Sequence, residues 1–205
     1  SLTVGSLGAI LLFGTSACGT SENNNGATGN SLDGTLNGAG ASSQEAAVTA
    51  WRQGFQEANE KVTVNYDPIG SGGGREQFIA GGISFAGSDA YLDTDELTAA
   101  KDRCTSDVVS VPVYVSPIAV IFNLDGVEDV KLDSATLGAI FEGTITSWND
   151  PSIKALNPDI TLPSTKITPV HRADDSGTTK NFTDYLSATS GGAWTGGVVE
   201  TWPIK

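Results

Sequence analysis

The chain has 205 residues, 39% hydrophobic and 17% charged, enough for one large or two small domains. Lys and Arg number 11 against 24 Asp and Glu, a net charge of −13. That balance excludes the basic footprint of nucleic-acid binding and a polybasic membrane patch. Any bound anion has to be held by local donors against an unfavourable background field. Methionine is absent, and Ser1 and Lys205 read as cut ends of a longer protein.

Leu7 to Phe13 is a short apolar run, followed by Gly14-Thr15-Ser16-Ala17 and then Cys18. It is too short to span a bilayer. It has the anatomy of a lipoprotein signal, with cleavage leaving Cys18 as the lipidated N-terminus. Thr15 departs from the Leu usual three residues before such a cysteine. The competing reading is a buried apolar segment with a chance Cys. Residues 19–31 are polar and Gly-rich and read as a flexible tether. The second cysteine, Cys104, is either a buried thiol or a partner for a cysteine elsewhere.

Folded structure is expected from Leu32. Leu32 to Ala39 reads as a strand, and Ser43 to Asn59 as a helix carrying Ala46, Ala47, Ala50, Trp51 and Phe55 at helical spacing. Ser42 or Ser43 is its expected cap. Val62 to Tyr66 alternates as a strand. Ile69 to Gly74 is a Gly-rich turn before a helix at Arg75 to Ala80. Ile83 to Ala86 is a short strand, and Thr94 to Arg103 a helix. This alternation is the signature of a parallel α/β sheet.

Val108 to Leu124 is apolar but broken by Pro112 and Pro117, so extended pieces are expected rather than one strand. Such a segment suits a crossover between lobes. Asp133 to Phe141 is a helix capped by Asp133 or Ser134. Pro151 starts a short helix to Leu156. Ile167 to Val170 reads as a strand, and Ser176 to Ser187 as a helix.

Three strand-to-helix junctions carry glycines and small hydroxyls: 38–43, 70–74 and 174–179. In open α/β sheets, ligands sit beyond the carboxyl ends of the strands. A helix start offers unpaired N–H groups and partial positive charge. Glycine lets backbone N–H groups approach an anion, and Ser or Thr adds donors. Gly-rich turns alone are common, and none of these is a nucleotide P-loop. The run His171 to Thr178 is sharper. Arg172 can meet an oxyanion with a charge-assisted contact, and Asp174 can hold the guanidinium. Read by itself, that pair is a surface ion pair on a turn. Asp89, after Gly87-Ser88, reads by itself as a helix or turn cap.

Gly-Ala-Gly-Ala-Ser at 38–42, Ile-Gly-Ser-Gly-Gly at 69–73, Gly-Ser-Asp-Ala at 87–90 and Arg-Ala-Asp-Asp-Ser-Gly-Thr at 172–178 occur in this order. Together with 115–120, 140–143 and 148–150, they resemble the substrate-binding proteins of phosphate-specific ABC transporters, over about Leu32 to Lys205. The resemblance implies an α/β, two-lobe periplasmic-binding-protein-like fold of type II, with the C-terminal part missing. It implies lobe I at 32–113 and an incomplete lobe II at 114–205, after a signal remnant at 1–18 and the tether.

Residue by residue, it implies phosphate binding by Ser42, by Ser43 mainly through its backbone, by Ser71, Asp89, Arg172, Ser176, Gly177 and Thr178, with Asp174 orienting the arginine. Asp89 would accept the proton that phosphate keeps near neutral pH and sulfate lacks. A site that pairs a substrate OH rejects the analogue lacking it. The implied function is extracellular capture of inorganic phosphate for an ABC permease driven by a partner ATPase. The protein would be a monomer held on the outer face of the cell membrane by its lipid, with no cofactor, no metal site and no catalytic residue.

Alternatives were a binder of another oxyanion (sulfate or molybdate), a surface lipoprotein with an adhesive role, and a phosphatase or other hydrolase. His171, Asp174 and Ser176 are the residue types of a triad, but they lie on one turn. A triad needs the imidazole between Ser and carboxylate in space, and no Gly-x-Ser-x-Gly elbow is present.

Overall fold

The computed structural model describes residues 32–204; the expectations for Cys18 and for residues 1–31 lie outside them. Three strands form one parallel sheet in the order β2-β1-β3: β1 at Gly34–Gly40, β2 at Val62–Asp67 and β3 at Phe85–Gly87. The expected parallel sheet is therefore present. β2 alternates, with Val62 and Val64 buried. Residues Ala39 and Ala41 at the carboxyl end of β1 are buried as well.

The strand ends are tied together. Ala41 N donates to Gly87 O at 2.8 Å, and Gly70 N donates to Gly40 O at 2.9 Å. All three loops thus leave the sheet from one edge, as the parallel arrangement requires.

Helix α1 spans Glu45–Ala58, after a 3₁₀ turn at Ser42–Gln44. Neither Ser42 nor Ser43 caps it: Gln44 is the cap residue, and no side chain bonds to the helix start. Trp51 and Phe55 are half exposed, and Val48 is the residue that α1 buries. Helix α2 begins at Ser71 and runs to Ile79, so Gly72, Gly73 and Gly74 are its first turn rather than a loop before it. The physical reason is proximity. A Cβ on Gly74 would lie 2.4 Å from Gly40 Cα, so only glycine lets α2 pack onto β1. Helix α3, Thr94–Cys104, opens on a reciprocal cap between Asp93 and Glu96. Cys104 at its end is partly buried and forms no disulfide among the described residues.

Residues 105–133 contain no helix or strand, in accord with the two prolines. Val109, Val111, Val115 and Ile121 are exposed along it. Three helices follow: α4 at Ser134–Phe141 capped by Asp133, α5 at Pro151–Leu156 capped by Asp150, and α6 at Gly177–Thr189 capped by Ser176. The core beside α4 and α5 is Ile140, Ile145, Ile153, Leu162 and Ile167.

The strand expected at 167–170 is absent. Only an isolated antiparallel bridge, Ser147 to Lys166, forms there. Ile167 is buried, as its hydrophobicity demanded, but among the described residues no neighbouring strand offers a ladder to the rest of the segment. Among the described residues no helix is long and apolar enough to cross a membrane.

Candidate functional site

The loops after β2 and β3 meet the N-terminus of α6, and the loop after β1 meets the loop after β3 through Ser43. Gly177, the first residue of α6, is the contact point: a Cβ there would lie 2.7 Å from both Ser71 Oγ and Asp89 Cβ. Asn181, one turn further along α6, donates to Asp89 O at 2.9 Å and to Gly177 O at 2.8 Å. Gly72 N donates to Asp175 O at 3.0 Å. Of the residues expected at the site, Ser71, Asp89 and Gly177 are thus brought together, with Asn181, Gly72 and Asp175 joining the sheet-bearing half to the helical half.

Ser71 and Ser176 are both 1% exposed. Each hydroxyl accepts from a backbone N–H, Ser71 from Asp89 at 3.2 Å and Ser176 from Thr179 at 3.3 Å. Each hydroxyl keeps its own proton, which can be donated to a ligand. The first N–H groups of the 13-residue α6 add partial positive charge.

The Asp89 carboxylate caps no helix. Ser43 Oγ donates to it, lying 2.7 and 2.8 Å from its two oxygens. Ser43, Asp89 and Thr178 line an open cleft of about 1540 Å³ whose walls also include Tyr66, Tyr114 and Asn181. Ser42 begins the 3₁₀ turn beside them. Arg172 and Asp174 stand further round. Arg172 Nε donates to Asp174 at 2.7 Å, a second guanidinium nitrogen closes the bidentate pair, and both side chains are a little over one-third exposed. Asp174 reaches the position next to Ser71: a Cβ on Gly70 would lie 2.5 Å from its Oδ2. The Arg172 hydrogen bonds hold the Asp174 carboxyl below the usual carboxylate range.

Sequence reasoning missed Arg75. Its guanidinium is buried at 4% exposure and has three partners: Glu96 at 2.9 Å, Ser88 Oγ at 3.0 Å and Glu200 at 2.7 Å. Lys180 reaches the same Glu200 at 3.1 Å. Burial alone would lower the Arg75 pKa, but the hydrogen bonds that it donates to Glu200 and Glu96 reverse that and raise it. Arg75 therefore braces the Gly87-Ser88-Asp89 loop and ties α2 to the segment after α6. Its position one helical turn after Ser71 was the available signal, though a cation on a helix ordinarily faces water.

Tyr66 was missed as well. Its hydroxyl donates to Ala41 O at 2.9 Å. Its pKa is pushed up to about 12, first by burial and then by the negative charge of Asp89 and by Tyr114.

His171 lies on another path. Its ring stacks on Trp202, with centroids 4.5 Å apart, and its Nδ1 lies 2.9 Å from the Arg172 carbonyl oxygen.

Comparison with known proteins gives a consistent picture. Residues 25–202 match the family model described as a PBP superfamily domain. The phosphate-binding protein PstS3 of Mycobacterium bovis (strain BCG / Pasteur 1173P2) is 43% identical over 197 residues, which cover 91% of this chain and 52% of that protein. The phosphate-binding protein PstS of Xylella fastidiosa (strain 9a5c) is 39% identical over 178 residues, 84% of this chain and 47% of that one. The chain spans about half the length of the curated relatives it matches. Among solved structures, a possible phosphate binding protein from Planctomyces limnophilus DSM 3776 matches 76% of this chain and 53% of its own, with a TM-score of 0.52 at 22% identity. That likeness speaks to the fold.

Proposed function

The chain belongs to the PBP superfamily, and from that premise we propose that it is the phosphate receptor of an ABC importer. The observation that carries the reading is the meeting of Ser71, Asp89 and Gly177 within contact distance at the start of α6. Hydroxyls that keep their protons, a helix N-terminus and one carboxylate make a set of donors with a single acceptor. A tetrahedral oxyanion that retains one proton matches that set, and an unprotonated one does not. Relatives at 43% and 39% identity that are named phosphate-binding proteins support the same choice.

In this reading Ser42, Ser43, Ser71 and Asp89 belong to a first lobe, residues 32–113. Arg172, Ser176, Gly177 and Thr178 belong to a second, from residue 114, and Asp174 aims the guanidinium. Phosphate touches both lobes and so favours the closed arrangement by its additional contacts there. The closed form docks on membrane permease subunits whose partner ATPase drives import. The receptor is a monomer, anchored on the outer face of the membrane through lipidated Cys18. In this reading it performs no chemistry: His171 stacks on Trp202 with its Nδ1 at the Arg172 carbonyl, away from the Ser176 hydroxyl, which accepts from Thr179 N–H. A hydrolase reading therefore has no imidazole–hydroxyl contact to start from.

Calorimetric titration of the full-length protein with phosphate and with sulfate tests the proposal. The wild type is expected to prefer phosphate by on the order of 10⁴. Asp89→Asn should collapse that ratio, and His171→Ala should leave phosphate affinity unchanged. Equal affinity of the wild type for both anions would overturn the reading.

A further inference from the structure

We propose that Ser43 is a positioning residue for specificity, its side-chain hydroxyl fixing the Asp89 carboxylate as the acceptor for an oxyanion that keeps a proton. The inference rests on the phosphate reading above. It deepens that reading by giving a role to the Ser43 side chain in addition to the backbone of its turn.

A serine at the start of a helix normally caps it. Ser43 stands one residue before the Gln44 cap of α1, yet no side chain bonds to the helix start. Its hydroxyl instead lies 2.7 and 2.8 Å from the two oxygens of Asp89, 46 residues away. The rest of Asp89 is already held. Its N–H donates to Ser71 Oγ at 3.2 Å, its carbonyl accepts from Asn181 at 2.9 Å, and Gly177 packs against its Cβ. The torsion that turns the carboxylate is the remaining freedom, and Ser43 is the group that restrains it.

Ser43 is itself held in place. The Tyr114 hydroxyl donates to Ser43 O at 2.9 Å, and Trp51 stacks edge-on against Tyr114 at 6.1 Å. The arrangement does not block a ligand. An ionised carboxylate has about four lone-pair positions, and a hydroxyl has one hydrogen to give. Asp89 lines the cleft together with Ser43 and Thr178, so the positions left over are available to a ligand there. Ser43 thus supplies orientation, and Asp89 supplies the acceptor that a protonated oxyanion needs.

Two measurements on the full-length protein decide the matter. The first is calorimetry of wild type, Ser43→Ala and Ser43→Thr with phosphate and with sulfate. Loss of a hydrogen bond to a charged group predicts roughly a ten- to hundredfold fall in phosphate affinity for the alanine variant, little change with sulfate, and recovery in the threonine variant. The second is the ¹³Cγ resonance of Asp89 in ligand-free protein. It is expected to move in Ser43→Ala and to return in Ser43→Thr. An unmoved resonance overturns the inference, as does an equal loss for both anions. A wild type blind to phosphate removes the functional reading, and the resonance still decides the Ser43–Asp89 coupling.

Discussion

Tyr66 shows how one side chain links the sheet to the site. It lies on β2 beside Phe85 of β3, with ring centroids 6.2 Å apart, and its hydroxyl is spent on Ala41 O. A Cβ on Gly87 would lie 2.3 Å from that hydroxyl, so the turn leading to Asp89 rests on the phenol. A folded pKa of about 12 against about 10 unfolded means that the native state holds the phenolic proton more tightly. The resulting stability is complete below about pH 10 and disappears as pH rises towards 12. Urea midpoints measured at about pH 9 and 11 should therefore fall steeply for the wild type. For Tyr66→Phe the fall should be shallower, from a lower starting value because Ala41 O loses its donor.

At the scale of elements, the docking of α6 depends on a missing side chain. Gly177→Ala puts a methyl 2.7 Å from Ser71 Oγ and Asp89 Cβ. Neither neighbour is the free end of a long side chain, so the halves must separate. Overpacking of this kind costs about 1–3 kcal/mol, which thermal melts would register. Phosphate affinity should fall with it, because α6 withdraws from the carboxylate.

This helix was also among the most legible elements. Ser176 at the head of α6, like Asp133 before α4 and Pro151 at the start of α5, is a local signal that needs no tertiary context. The first turn of α2 was illegible for the opposite reason. Three consecutive glycines argue against helix by propensity, and only tertiary neighbours explain two of them: Gly40 against Gly74 and Asp175 against Gly72. Residues 167–170 were misread as a strand because burial of Ile167 looks the same in sequence whether or not a partner strand exists. The site loops were legible as glycine and hydroxyl clusters. The use of Ser43 on Asp89 rather than on α1 was not, since both roles suit a serine before a helix.

Across the whole molecule, the two halves are bridged by a charge cluster in which Arg75 and Lys180 are matched by Glu96 and Glu200. In a chain of net charge −13, a buried guanidinium between two carboxylates is hard to replace. Arg75→Met strands Glu96 and leaves Glu200 to Lys180 alone, and should cost about 3–5 kcal/mol, read as a shift in urea unfolding. Adding Glu96→Gln to it should recover part of the loss, because the uncompensated charge is then removed. The loop of Asp89 is braced by the same arginine through Ser88, so the single variant should also weaken phosphate binding, while the double variant restores stability more than affinity.

The stack of His171 on Trp202 has an optical corollary. Trp202 also lies 5.6 Å from Phe141 and 5.2 Å from Trp194, centroid to centroid, and its imidazole neighbour precedes the arginine assigned to the anion. Where phosphate draws in that arginine, as proposed above, emission from the stacked indole is expected to shift, and a fluorescence titration with phosphate checks it.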